Sequence, residues 1–241
     1  MKQILSLLFI ALFLNSCGDD SSEKVLNFKL KYDGQDLVFF EDYTYPNGKT
    51  IEFTRFSFYI SDLKTIKDGV STDVIDVDYI FLADAHSDAE KASQGFDYII
   101  QDLQDTSFDG LTFNLGLNNA QNATSPNDYA SGNPLSESGE YWPGWESYVY
   151  VKIEGRMDVD GDGISDGIAF HLGSDDTSRA ITINNIQDKD KIEFEIDLID
   201  VFRSASGELY DIESNSRIHS LSQMDQINFL MNNLASAVKL K

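Results

Sequence analysis

Leu26, Phe28, Leu30 and Tyr32 fall on every second residue, and Ile192, Phe194, Ile196 and Leu198 repeat the pattern against Glu193, Glu195 and Asp197. Side chains alternate across a strand, so this spacing gives each segment one apolar face and demands a sheet with something packed on it. A longer run, Thr50 to Ile66, places Ile51 and Phe53 in one phase and Phe56, Phe58 and Ile60 in the other. The slip near Thr54-Arg55 predicts a bulge or two joined strands. Further strands are expected at Leu37–Phe40, Val74–Asp84, Phe96–Leu103, Leu111–Leu117, Ala180–Ile186 and Lys191–Phe202, with turns at Asp33-Gly34 and Pro46-Asn47-Gly48. Only the end changes period. Leu221, Met224, Ile227, Leu230, Met231, Leu234 and Val238 recur at helical spacing, with Ser220 or Ser222 as a cap. The expected fold is all-β: a single antiparallel β-sandwich-like domain with one C-terminal amphipathic α-helix. Residues 118–139, rich in Asn, Ser and Pro, are too long for a plain connection and read as an ordered functional loop.

The N-terminus reads as an address. Lys2 precedes an apolar run, Ile4 to Leu14, too short to span a bilayer comfortably. It ends in Leu14-Asn15-Ser16-Cys17, which resembles a bacterial lipobox, with Cys17 the one cysteine of the chain. Residues 1–16 are therefore expected to be a lipoprotein signal peptide and Cys17 the lipidated residue. Residues 17–24 read as an acidic tether resembling the export tag of Bacteroidetes surface lipoproteins, and 25–241 as the domain. This places the domain outside the cytoplasm, anchored to the outer membrane and facing the periplasm or the cell exterior. No internal disulfide can form. The formal charge of −23, from 41 acidic against 18 basic residues, argues against nucleic acid and anionic lipid surfaces and favours cations.

Glu140 to Gly173 holds both tryptophans, the densest carboxylate cluster and His171. An alternating segment from Tyr148 to Glu154 and a second from Ile168 to Leu172 read as a hairpin. The turn between them, Asp158 to Asp166, matches the first nine positions of an EF-hand-type loop. Asp158, Asp160, Asp162 and Asp166 would converge carboxylate oxygens on a hard cation such as Ca²⁺, and Ile164 would offer its carbonyl. Ala169 stands at the twelfth position and no helices flank the loop, so the missing ligand is a water, Asp175 or Asp176. The plainer reading is an Asx-rich turn that binds nothing. Crowded carboxylates repel one another without a cation, which favours calcium.

Trp142-Pro143-Gly144-Trp145 precedes the hairpin, and His86, His171 and His219 are the histidines of the chain. Each alone is more often a satisfied structural residue than a ligand, and two tryptophans around a turn are ordinary core or rim aromatics. Two histidines distant in sequence can meet in a sandwich, but spacing alone does not bring them together. Gly48–Leu63, Leu111–Gly116, Asn133-Pro134-Leu135, Tyr141-Trp142, Tyr148–Gly155 and Phe170–Gly173 occur in the order seen in MbnP-like proteins. The chain resembles that family over nearly all of the expected domain. The resemblance implies a β-sandwich-like fold and copper binding without catalytic activity. It implies His171 and His219 as copper ligands and Trp142 or Trp145 as a residue oxidised to kynurenine by a di-haem peroxidase-like partner. The sequence departs from the pattern in the Pro-Gly between the tryptophans, in the absence of a first-strand histidine and in the added carboxylate loop.

A second reading is a calcium-stabilised surface module that binds a protein or glycan through exposed tryptophans. An enzyme is the least expected. There is no Ser/His/Asp order, no HExxH and no cysteine nucleophile, and nothing singles out a carboxylate pair.

Overall fold

A computed structural model describes residues 23–241 apart from 102, 104, 164, 188 and 189. The signal-peptide reading, Cys17 and residues 17–22 of the 17–24 tether lie outside the described residues, as does Ile164. Lys24, the last tether residue, already opens a strand and is buried.

In chain order, β1 (Lys24–Tyr32), β2 (Gln35–Asp36), β3 (Asp42–Thr44), β4 (Thr50–Lys67) and β5 (Val70–Phe81) lead to α1 (Ala89–Gln94), β6 (Phe96–Ile100) and β7 (Gly110–Leu115). An excursion follows with α2 (Asn119–Asn122), three single 3-10 turns, and a small hairpin of β8 (Tyr141–Trp142) and β9 (Ser147–Tyr148). Then come β10 (Val151–Met157), β11 (Asp166–Leu172), β12 (Arg179–Asn184), β13 (Lys191–Asp197) and α3 (Leu198–Val201). The chain closes with β14 (Arg217–Ile218), α4 (Met224–Ala237) and β15 (Val238–Leu240).

Two sheets face each other. One runs β15-β13-β1-β2 with β6 also on β1; the other runs β12-β7-β4-β10-β11-β14 with β3 and β5 also on β4. The expected all-β, two-sheet class with a C-terminal helix is what the chain forms. Its pairing is mixed, however, not purely antiparallel: β1 runs parallel to β13, and β11 parallel to β14. Both parallel pairs join strands remote in sequence, which local periodicity does not report. Leu37–Phe40 is not a strand, because the chain turns inward there, with Phe39 N–H donating to His86 O (2.8 Å). The strand expected to reach Phe202 stops at Asp197, whose carboxylate caps α3 by accepting from Ile199 N–H (3.2 Å).

β4 carries the second sheet. The pairing with β10 slips between Glu154 and Gly155, leaving Thr54 as the extra residue and turning both Phe53 and Phe56 inward. The phase slip read at Thr54-Arg55 is that bulge. Phe28 meets Phe58 edge-on (5.5 Å between centroids) and Phe113 meets Phe194 (6.2 Å), so the two apolar faces interlock. Each fully buried Phe contributes about 1.5–3 kcal/mol over leaving it in water. α4 closes one side with Ile227, Leu230, Met231 and Leu234, whereas Leu221 lies in the 3-10 turn ahead of it and is partly exposed.

The outer face of the second sheet is covered by the excursion. Tyr59 OH donates to Pro134 O (3.2 Å), Tyr148 OH to Leu135 O (2.7 Å) and Lys152 Nζ to Gly139 O (2.5 Å). Residues 118–139 are thus an ordered third layer, pinned down by side chains of the sheet. That layer carries the tryptophan hairpin onto β10 and β11.

Candidate metal centre

Alternation along β11 turns Phe170 and Leu172 into the core and leaves His171 on the outer face. β14 lies beside β11 in parallel, with Ala169 opposite Arg217 and Phe170 opposite Ile218. The next step of that register sets His219 beside His171, and with Ile218 buried His219 faces outward as well. The two imidazole centroids are 4.7 Å apart with their planes inclined by 32°. Gln223 holds the His219 backbone in place: its Oε1 accepts from His219 N–H (3.1 Å) and its Nε2 donates to Arg217 O (2.8 Å).

The β8–β9 hairpin brings in the indoles. Trp145 N–H donates to Trp142 O (3.0 Å), closing a turn in which the two rings stack at 5.2 Å and 13°. Trp142 then lies 5.7 Å from His171 and 5.1 Å from His219, centroid to centroid. All four residues meet at one place on the outer face. The tryptophans are half-buried and stacked on each other, with Trp142 meeting His171 edge-on and His219 at a tilt, not the exposed pair that a contact surface for glycan or protein was expected to offer. Gly173 follows from the same packing: a Cβ there would come within 2.5 Å of Tyr148 O, where the hairpin enters β10.

Charge around the site is closely paired. His171 Nε2 is 2.8 Å from Glu154 Oε1, while His171 Nδ1 is buried without a hydrogen-bond partner. The bond to His171, with help from Arg55 and Lys152, holds the Glu154 carboxyl below the usual glutamate range. Burial, the neighbouring His171 and Arg217 lower the pKa of His219, with Glu154 opposing. Beneath the hairpin, the buried Glu140 receives Arg55 on Oε1 (2.7 Å) and faces Lys152 Nζ across 3.0 Å on Oε2. Sequence reasoning missed Glu154, Glu140 and Gln223. Glu154 was within reach: hairpin pairing sets Lys152 opposite His171 and Glu154 opposite Ala169, one diagonal step away on the same face.

His86 plays no part here. It is fully buried, donating from Nδ1 to Leu37 O (2.7 Å) and accepting on Nε2 from Leu30 N–H (3.2 Å).

The acidic turn lies at the far end of the hairpin. Oxygens of Asp158, Asp160 and Asp166 gather within 4.8 Å of one another. Asp162 is not one of the three, its N–H instead donating to Asp160 Oδ1 (3.1 Å). Asp158 accepts from Gly161 N–H (2.8 Å) and Gly163 N–H (3.0 Å). Neither Asp175 nor Asp176 completes this loop. Both follow the opposite end of β11, roughly 20 Å away at about 3.3 Å per residue, and Asp175 accepts from Asn122 Nδ2 (2.9 Å).

A family model described as MbnP matches residues 21–222. This chain belongs to the MbnP family. The matched span includes Trp142, Trp145, His171 and His219, and ends before α4 begins. Among solved structures, the chain is similar to MbnP from Methylosinus trichosporium, with a TM-score of 0.59 and 15% identity over 79% of this chain and 80% of that one. At that identity the likeness is one of MbnP fold. No curated protein matches.

Proposed function

We propose that this MbnP-family chain is a lipid-anchored, extracytoplasmic copper-binding protein that binds without catalysing a reaction. The observation that carries the reading is the 4.7 Å approach of the His171 and His219 imidazoles under Trp142. A metal–imidazole bond is about 2 Å long, so rings this close can share one ion. Imidazole is a suitable ligand type for copper, and the unpartnered, buried His171 Nδ1 is an atom in need of a partner. His171 and His219 would hold the ion. Trp142 would cover it, with Trp145 stacked behind. Bound copper would supply one-electron redox chemistry; the chain's own residues would bind it, orient the rings and limit access of water. Oxidation of Trp142 or Trp145 to kynurenine by a di-haem peroxidase-like partner belongs to the same reading. The net charge of −23 would raise the local cation concentration.

The reading also includes a structural calcium ion in the Asp158–Asp166 loop, supported by the three clustered carboxylates. Membrane attachment would come from acylated Cys17. Among the described residues no helix is long and apolar enough to cross a membrane.

Copper titration of the wild type, His171→Ala and His219→Ala tests the assignment. One tight copper per chain is expected, with each substitution weakening binding. Retention of wild-type affinity by either variant would remove that histidine from the site.

A further inference from the structure

The two ring nitrogens of His171 sit in different settings. Nε2 lies 2.8 Å from Glu154 Oε1, whereas Nδ1 is buried with no hydrogen-bond partner. A neutral imidazole carries one proton, and a carboxylate at hydrogen-bond distance keeps it on the nitrogen it faces. The other nitrogen is then a bare lone pair, and leaving such an atom buried and unpaired is costly. Glu154 is not drawn away by the nearby cations. Lys152 is held by Glu140 and by Gly139 O, and Arg55 by Glu140 and by Tyr79 OH (2.9 Å). Glu154 and His171 also stand on neighbouring strands of a rigid hairpin, so their contact is set by register and not by a loop.

We propose that Glu154 is the positioning residue of this centre: it holds His171 in the Nε2–H tautomer and makes Nδ1 the atom offered to copper. The inference deepens the copper reading above and rests on it. Carboxylate partners of metal-bound histidines act in this way, and losing one typically costs 10–100-fold in metal affinity.

The test begins on the metal-free protein. Long-range proton–nitrogen spectra of labelled wild type, E154Q and E154A, recorded at about pH 8 where imidazoles are neutral, report which nitrogen carries the proton. Nε2–H is expected in the wild type and in E154Q, whose carbonyl still accepts, and loss of that preference in E154A. Copper titration against a competing chelator should then show E154A weaker by roughly 10–100-fold, E154Q close to the wild type and H171A weaker than E154A. If E154A does not fold, E154D, with a carboxylate too short to reach Nε2, should show the same loss. Finding Nδ1–H in the wild type would overturn the proposal. So would wild-type affinity in E154A while H171A loses copper, and the copper reading would then stand without Glu154. Failure of the wild type to bind copper would overturn that reading, and this ligand assignment with it, whichever tautomer is present.

Discussion

His86 and His171 are the same residue type under opposite constraints. Both nitrogens of His86 are satisfied inside the core, and burial holds its pKa down, with Leu37 O and Asp36 opposing and Lys29 assisting. The sign follows. With the folded pKa below the unfolded value of about 6.5, the unfolded chain binds more protons, so this contribution is complete above that pH and is lost as pH falls through and below it. Glu154, depressed by its bond to His171, acts later, as pH drops below the ordinary glutamate range. Thermal melts should therefore weaken progressively from about pH 6.5 downward, and His86→Asn should flatten the upper part of that loss while lowering stability throughout. A melting temperature independent of pH between 7 and 5 would contradict the buried, neutral His86. Residue types were legible in the sequence, but it was the resemblance to MbnP-like proteins, not position or spacing, that singled out His171 and His219. The roles of the histidines were not legible: Glu154 becomes visible only once the hairpin register is followed across to His171, and Leu37 O reaches His86 through a tertiary contact outside any strand.

At the scale of elements, the long alternating runs declared themselves, and the Thr54 bulge was readable as a phase slip. β14 was not. A two-residue strand has no period to detect, yet its parallel register beside β11 is what sets His219 against His171. The bulge has a steric counterpart. A Cβ on Gly155 would fall 2.1 Å from Glu52 O, a backbone atom that cannot move without parting β4 from β10. Gly155→Ala should cost at least about 2 kcal/mol, within the range for overpacking, and lower the denaturation midpoint; an unchanged midpoint would show that the strands part freely. At the other end of the same hairpin, an ion held by the folded state alone would stabilise it, so calcium should raise the melting temperature in a concentration-dependent way. Asp158→Ala with Asp160→Ala should abolish that increment and leave a folded protein. No response of the wild type to EDTA would remove calcium from the account.

For the whole molecule, composition and period gave the class, two facing sheets and a terminal helix, but not the layering. The excursion is polar and irregular, so its role as a cover over the second sheet emerges only from contacts such as Tyr59 to Pro134 and Arg55 to Glu140. Because that cover delivers the tryptophans, fold and site are one design: the sheet supplies imidazoles, the excursion supplies indoles. Attachment is a separate matter, and mass spectrometry of membrane-extracted protein should find an acylated Cys17 as the N-terminus; an intact Met1 would refute it. Anomalous diffraction at the copper edge, from crystals of the copper-loaded protein, should locate copper between His171 and His219. One peak is predicted, within bonding distance of both imidazoles and beside Trp142. A peak in the acidic Asp158–Asp166 turn alone, or none at the histidine pair, would contradict it.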